Sequence, residues 1–210
     1  ELKTPLTSVK GFSELLASGL ITDEEVVNDY LKRIIDETDR MISLSNDILN
    51  IYQLEEGKYN GEPEQLNLRT IADKVINNLS VQLQNKNIQL HISEKDVFYK
   101  MEEEDSKHIL QNLIDNAIKY NRENGEIWVD ISQGKNGVKI SVQDTGIGIP
   151  RAYQTRVFER FYRVDKGRSR KVGGTGLGLA IVKHTVVKYK GEIALYSREG
   201  KGCRFEITLP

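Results

Sequence analysis

One cysteine, one tryptophan, two methionines and four prolines in 210 residues exclude several classes of protein at once. The single thiol, Cys203, closes no internal disulfide, which rules out a small stapled scaffold and fits a reducing compartment. No run of about 18 apolar residues occurs and no signal-peptide pattern opens the chain, so the sequence offers no spanning helix and no export address. Neither sign of charge dominates. Thirty Lys and Arg meet 31 Asp and Glu, for a net charge of -1, and that gives no global field for nucleic acid or a membrane surface. The first residue, Glu1, is not Met, and a piece of a longer protein is the expectation.

What is present first is helical periodicity. Val27, Leu31, Ile34, Thr38, Met41, Ser45, Ile48 and Tyr52 step by four and three, the seam of a coiled coil. A shorter seam runs through Leu2, Leu6, Val9, Ser13, Leu16 and Leu20, and the stretch from Ser18 to Asp23 breaks the two, with an N-cap in Thr22 or Asp23. The pattern predicts a helical hairpin over residues 1–57. Further stripes at Ile35, Ile42 and Leu49, and at Leu44 and Ile51, make its apolar face wider than one partner helix covers. Two hairpins joined as a four-helix bundle cover it, so a homodimer is expected. Packing of the hairpin on the second half of its own chain is the other reading.

Residues 58–64 read as a linker, because Gly61 and Pro63 punctuate a polar run. From Gln65 onward the pattern is mixed, with helices expected over 69–86, 103–121 and 176–189. Strands are expected over 88–92, 97–101, 126–133, 138–143, 192–196 and 204–209. One helical layer on a mixed sheet follows, an α/β sandwich, and the whole chain is α+β. The stretch from Thr145 to Gly174 is apolar only around Val157, Phe158, Phe161 and Tyr162, and basic at Arg160, Arg163, Lys166, Arg168, Arg170 and Lys171. A loop of that length is functional or disordered. A hinged lid over an anionic ligand fits it, and a solvated charged loop is the alternative.

That loop ends in Gly173-Gly174-Thr175-Gly176-Leu177-Gly178, followed by an apolar helical pattern. Such a run makes a helix N-terminus onto which phosphate docks, although glycine also serves tight turns. Spacing removes two phosphate motifs. A Walker loop needs Lys and Ser or Thr after its last glycine, where Leu179-Ala180 stand. A dinucleotide fingerprint needs a glycine at 179, after a strand. Upstream lie Asp144-Thr145-Gly146-Ile147-Gly148, then Asn112-Leu113-Ile114-Asp115-Asn116-Ala117-Ile118-Lys119-Tyr120, and at the start Glu1-Leu2-Lys3-Thr4-Pro5. Asn112 and Asn116 share a helix face, where their amide oxygens either ligate Mg²⁺ or form an ordinary polar surface. Asp144 either caps the Thr145-Gly146 bend or, as an acceptor-only carboxylate, takes a ligand's N–H.

Four motifs in this order resemble the sensor histidine kinases of two-component signalling, over essentially the whole chain. Their ATP-binding fold is shared with gyrase, the Hsp90 chaperones and the MutL repair proteins. The resemblance implies ATP and Mg²⁺ as cofactors. It implies that Asp144 receives the adenine amine beside Gly146 and Gly148, that Asn112 and Asn116 hold the metal, and that Lys119 contacts phosphate. Tyr120 packs on the nucleotide and Arg163 reaches the γ-phosphate. Gly174, Thr175, Gly176, Leu177 and Gly178 form the phosphate loop, and Phe158 and Phe161 match the paired-phenylalanine box. The resemblance also implies a phosphoacceptor histidine immediately before Glu1, with Glu1 orienting its imidazole. Thr4 then positions water for hydrolysis of the phospho-aspartate on a response-regulator receiver domain. His91, His108 and His184 fall elsewhere and read as packing or surface. Two alternatives remain, a clamp ATPase of the same superfamily and a non-enzymatic ATP-binding scaffold. The hairpin joined to the Glu1–Pro5 motif opposes the first, and Asn116, Asp144 and the glycine loop oppose the second. The implied location is cytoplasmic, as the core of a membrane-anchored sensor, with no nucleic-acid partner and no membrane contact of its own.

Overall fold

The computed structural model describes residues 3–56, 61–135, 137–164 and 174–210. Two helices open the chain, α1 (Lys3–Ala17) and α2 (Glu24–Glu55). Asp23 is the cap of α2: its Oδ1 accepts from Glu25 N at 2.9 Å and Val26 N at 3.2 Å, and Glu24 and Glu25 complement the positive end of the helix dipole. The helices pack against each other, with Phe12 stacked on Tyr30 at 5.3 Å between ring centroids. Ile34 and Met41 are half-buried, whereas Ile35, Ile42 and Leu49 are 59%, 56% and 55% exposed. Leu44 and Ile51 are buried by another part of the chain.

Strand β1 (Glu64–Asn67) follows and pairs antiparallel with β3 (Phe98–Met101), Leu66 opposite Tyr99. The sequence predicts no strand there, and Glu64, the last residue expected in the linker, is the first of β1. The helix expected over 69–86 is two, α3 (Leu68–Asn78) and α4 (Ser80–Asn85), separated at the buried Leu79. Then come β2 (Gln89–Ile92), α5 (Glu103–Lys119), β4 (Glu126–Gly134), β5 (Gly137–Asp144), α6 (Gly178–Lys188), β6 (Glu192–Ser197) and β7 (Cys203–Leu209). The main sheet has the order β2-β4-β5-β7-β6, with only the β2–β4 pair parallel.

Period-two alternation sends Ile127, Val129 and Ile131 of β4, Val138, Ile140 and Val142 of β5, and Phe205, Ile207 and Leu209 of β7 to one buried face. Helices α3, α5 and α6 cover it, α5 through Ile109, Leu110, Leu113, Ile114, Ala117 and Ile118. A buried polar cluster fixes α6 against α5. Lys188 Nζ lies 2.6 Å from both Glu102 Oε1 and Asp105 Oδ2, and the Tyr189 hydroxyl donates to Asp105 Oδ2 at 2.7 Å while accepting from Glu102 N at 2.9 Å. Burial raises the Tyr189 pKa well above its ordinary value, so this hydroxyl stays a donor.

Candidate functional site

Asp144 continues the inward row Val138, Ile140, Val142, placing a carboxylate where the alternation calls for an apolar side chain. It is 7% exposed. Burial raises its pKa, and backbone N–H groups of Gly146 and Cys203 pull it back by donating to Oδ1 at 2.7 and 3.3 Å. The turn-capping role is therefore real, and it occupies Oδ1.

The loop after Asp144 is laced to the end of α5. Ile147 N donates to Tyr120 O at 3.1 Å, Thr145 Oγ1 to Asn121 Oδ1 at 3.2 Å, and Asn121 Nδ2 to Glu126 O at 3.1 Å. Gly146 packs on the Tyr120 carbonyl. Gly148 has φ +66° and lies against the Arg198 backbone, so a side chain there is excluded by both conformation and space.

On α5, Asn112 Nδ2 donates to His108 O at 2.8 Å, and its Oδ1 faces Gly178, where a Cβ would overlap it. Asn116 is half-buried one turn on, and Tyr120 caps the helix. Lys119 Nζ is paired with Asp115 at 2.6 Å. The glycine loop and the hairpin also meet. Thr175 Oγ1 donates to Asp47 Oδ2 at 2.6 Å and accepts from Leu177 N at 3.2 Å, while Leu177 and Ile181 bury Leu44 and Ile51 of α2. Burial raises the Asp47 pKa and the Thr175 hydrogen bond lowers it. Asn50 Nδ2 lies 3.4 Å from His108 Nε2 across the same junction.

The lid region begins with two short 3₁₀ turns, Arg151–Tyr153 and Arg156–Phe158. Phe158 anchors it edge-on to Phe205 at 6.3 Å, whereas Phe161 is 40% exposed, with φ 60° and its N–H on Gly176 O at 2.9 Å. The paired phenylalanines thus do different work. Arg163 is half-buried, and Gly174 has φ +134°. Gly173, Lys166, Arg168, Arg170 and Lys171 lie outside the described residues, as does Glu1. Thr4 is exposed on α1, distant in sequence from every other element of the site.

Residues 101–210 match the family described as "Histidine kinase-, DNA gyrase B-, and HSP90-like ATPase", and residues 1–57 match the "His Kinase A (phospho-acceptor) domain". The chain belongs to the sensor histidine kinases. It is 36% identical over 213 residues to the sensor histidine kinase WalK of Bacillus subtilis (strain 168), covering 100% of this chain and 35% of that protein. It is 37% identical over 212 residues to the sensor protein kinase WalK of Staphylococcus aureus, covering 100% and 51%. The chain therefore spans between a third and a half of the curated relatives it matches. The solved histidine kinase AdeS of Acinetobacter baumannii superposes with a TM-score of 0.80 at 23% identity over 100% of this chain and 96% of that one, a likeness of fold. Full-length ShkA in complex with AMPPNP gives 0.75 at 27% identity, covering 99% and 43%.

In this histidine kinase a cavity of about 620 Å³ among the described residues lies away from Asp144. It lies between the end of α2, residues 61–64 and the start of α5, lined by Glu62, Glu64, Glu102, Glu103, Glu104 and Asp105 against Lys188 and His108. That charge repels a polyphosphate. Around α5, the Asp144 loop and the glycine loop stand the Asn112 and Asn116 amides, Lys119 paired with Asp115, and Thr175 held by Asp47. Among the described residues no group of three or more His, Cys, Asp or Glu is placed to hold a metal. The neutral Asn112 oxygen facing the glycine loop suits an ion that takes few protein ligands and completes its shell on phosphate.

Three residues of the site escape the sequence reading. Asp47 sits on a hairpin helix 128 residues from Thr175. Asn121, 7% exposed, follows the Asn112–Tyr120 motif, and its short polar side chain before a turn is the one signal it gives. Lys86 gives none.

Proposed function

We propose that this chain is the phosphotransfer and ATP-binding core of a homodimeric sensor histidine kinase, divided into a hairpin over 1–57, a linker and an ATP-binding domain from β1 onward. The γ-phosphoryl of ATP passes to a histidine immediately before Glu1 and then to an aspartate of a response-regulator receiver domain. Support for the partner comes from a relative by fold, ThkA, solved in complex with response regulator protein TrrA. Glu1 orients the acceptor imidazole, and Thr4 serves the reverse hydrolysis. Asn112 and Asn116 hold Mg²⁺, which neutralises phosphate charge when bound. Lys119, Arg163 and the Gly174–Gly178 loop position the phosphates, and Tyr120 packs on the base. The parent is placed in the cytoplasm behind a membrane-anchored sensor, where ATP and receiver domains are found. No helix among the described residues is long and apolar enough to cross a membrane.

The observation that carries the nucleotide reading is the buried Asp144 carboxylate, held through Oδ1 by two backbone N–H groups beside α5. Its other oxygen suits the adenine amine, a donor where guanine has a carbonyl. In Asp144→Asn the Oδ1 bonds persist and an NH₂ meets the adenine NH₂. Losing a hydrogen bond to a charged group costs on the order of 1.5–3 kcal/mol, so ATP binding weakens roughly ten- to hundredfold. Calorimetric titration measures it, and unchanged affinity overturns the site. Asn116→Ala weakens binding in Mg²⁺ more than in chelator, because its role runs through the ion; equal losses in both make Asn116 structural.

A further inference from the structure

The last turn of α5 ends on carbonyls beyond the regular helical ladder, of which Ile118 O also accepts Asn121 N at 3.3 Å. Lys86, at the end of α4, reaches across to them. Its Nζ donates to Lys119 O at 2.7 Å, Ile118 O at 2.8 Å and Asn121 O at 3.4 Å. An ammonium has three N–H groups, and each finds an acceptor. The main chain ties the same segments, Asn124 N donating to Lys86 O at 3.0 Å. Tyr120 lies between the clamped carbonyls, and its own carbonyl accepts Ile147 N and packs on Gly146. The end of α5 is thus held by Lys86 on one side and by the Asp144 loop on the other.

We propose that Lys86 is a positioning residue of the nucleotide site, fixing the backbone from which Lys119 and Tyr120 project and their register with the Asp144 loop, without touching nucleotide. The proposal rests on the reading of that loop as the ATP site. A cation suits the negative end of a helix dipole. Burial lowers the Lys86 pKa while the Glu123 charge raises it. A cap that only stabilised the fold would leave ligand affinity alone. Lys86 acts on affinity through Lys119 and Tyr120.

The test is calorimetric titration of the whole chain with ATP and Mg²⁺, well below each variant's melting temperature. Lys86→Met, which keeps the stem and loses all three donors, weakens binding roughly tenfold, and Lys86→Arg recovers most of it. In a Tyr120→Ala chain the same Lys86→Met change costs less than in the parent, because the share of its effect that runs through Tyr120 is gone. Affinity within about twofold of the parent in folded Lys86→Met overturns the proposal, as does an undiminished loss in the Tyr120→Ala chain. Should Lys86→Met not fold, Lys86→Gln, which keeps amide N–H donors, is read on the same scale. A parent chain whose ATP binding ignores Asp144→Asn removes the nucleotide reading, and the proposal with it. Asp144-dependent binding that ignores Lys86 removes the proposal alone.

Discussion

Incubated with γ-labelled ATP, residues 1–210 acquire no phosphoryl group, whereas a longer chain carrying the sequence upstream of Glu1 becomes labelled on the histidine preceding it. The difference is all or none, because the nucleophile is one imidazole nitrogen, which attacks the γ-phosphorus as ADP leaves. No histidine of the present chain can stand in. His91 is stacked on Trp128 at 5.5 Å on the sheet and lies 3.2 Å from Glu126; His108 projects from α5 toward Asn50; His184 is on α6, 3.3 Å from Arg160. All three belong to the ATP-binding part and travel with the nucleotide rather than receive it. The label is a phosphoramidate, lost in acid and kept in alkali, and it moves to a receiver-domain aspartate. Acid-stable label, or equal label on the short chain, overturns the acceptor.

The hairpin and the alternating strands were legible because their periods differ, 3.5 in one half and 2 in the other. What the period gave was a face, not its partner. Three apolar stripes on α2 were visible, yet only the structure separates them: Ile34 and Met41 are half-buried in the helical hairpin, Leu44 and Ile51 are covered by Leu177 and Ile181, and Ile35, Ile42 and Leu49 stay exposed. Packing on the second half of the chain thus holds for the Leu44–Ile51 stripe, and the dimer remains the proposal for the exposed one. Strand β1 was missed because its one buried side chain, Leu66, leaves no alternation to see. The break at Leu79 was missed because Leu79 and Leu83 keep the helical spacing across it. At the site, Asp144 stands in a motif visible in the sequence, while the contact of Thr175, expected in the phosphate loop, with Asp47 on a distant helix was not visible. Lys86 was invisible for a physical reason: it completes the C-terminus of a helix other than its own, and no spacing rule connects the two.

Ile35→Glu combined with Ile42→Glu converts the chain from dimer to monomer. The two positions are seven apart on α2, and Leu44 is nine residues from Ile35, half a turn out of phase, so the exposed stripe and the docked stripe lie on opposite sides of one helix. With Leu49 they form a continuous apolar strip more than half exposed, the kind of surface soluble proteins cover. In a two-fold bundle each substitution enters twice, which places four carboxylates in the seam. Burying an unpaired polar group costs about 1–3 kcal/mol by mutation, so even half that sum raises the dimer dissociation constant roughly a thousandfold. The monomer keeps its fold, because Glu is a good helix former and neither side chain packs in the chain's own core. Sedimentation equilibrium reads the change and circular dichroism confirms retained helix. An unaltered dimer means that the strip faces something other than a second copy, and then the four-helix bundle must be built from a different side of α2.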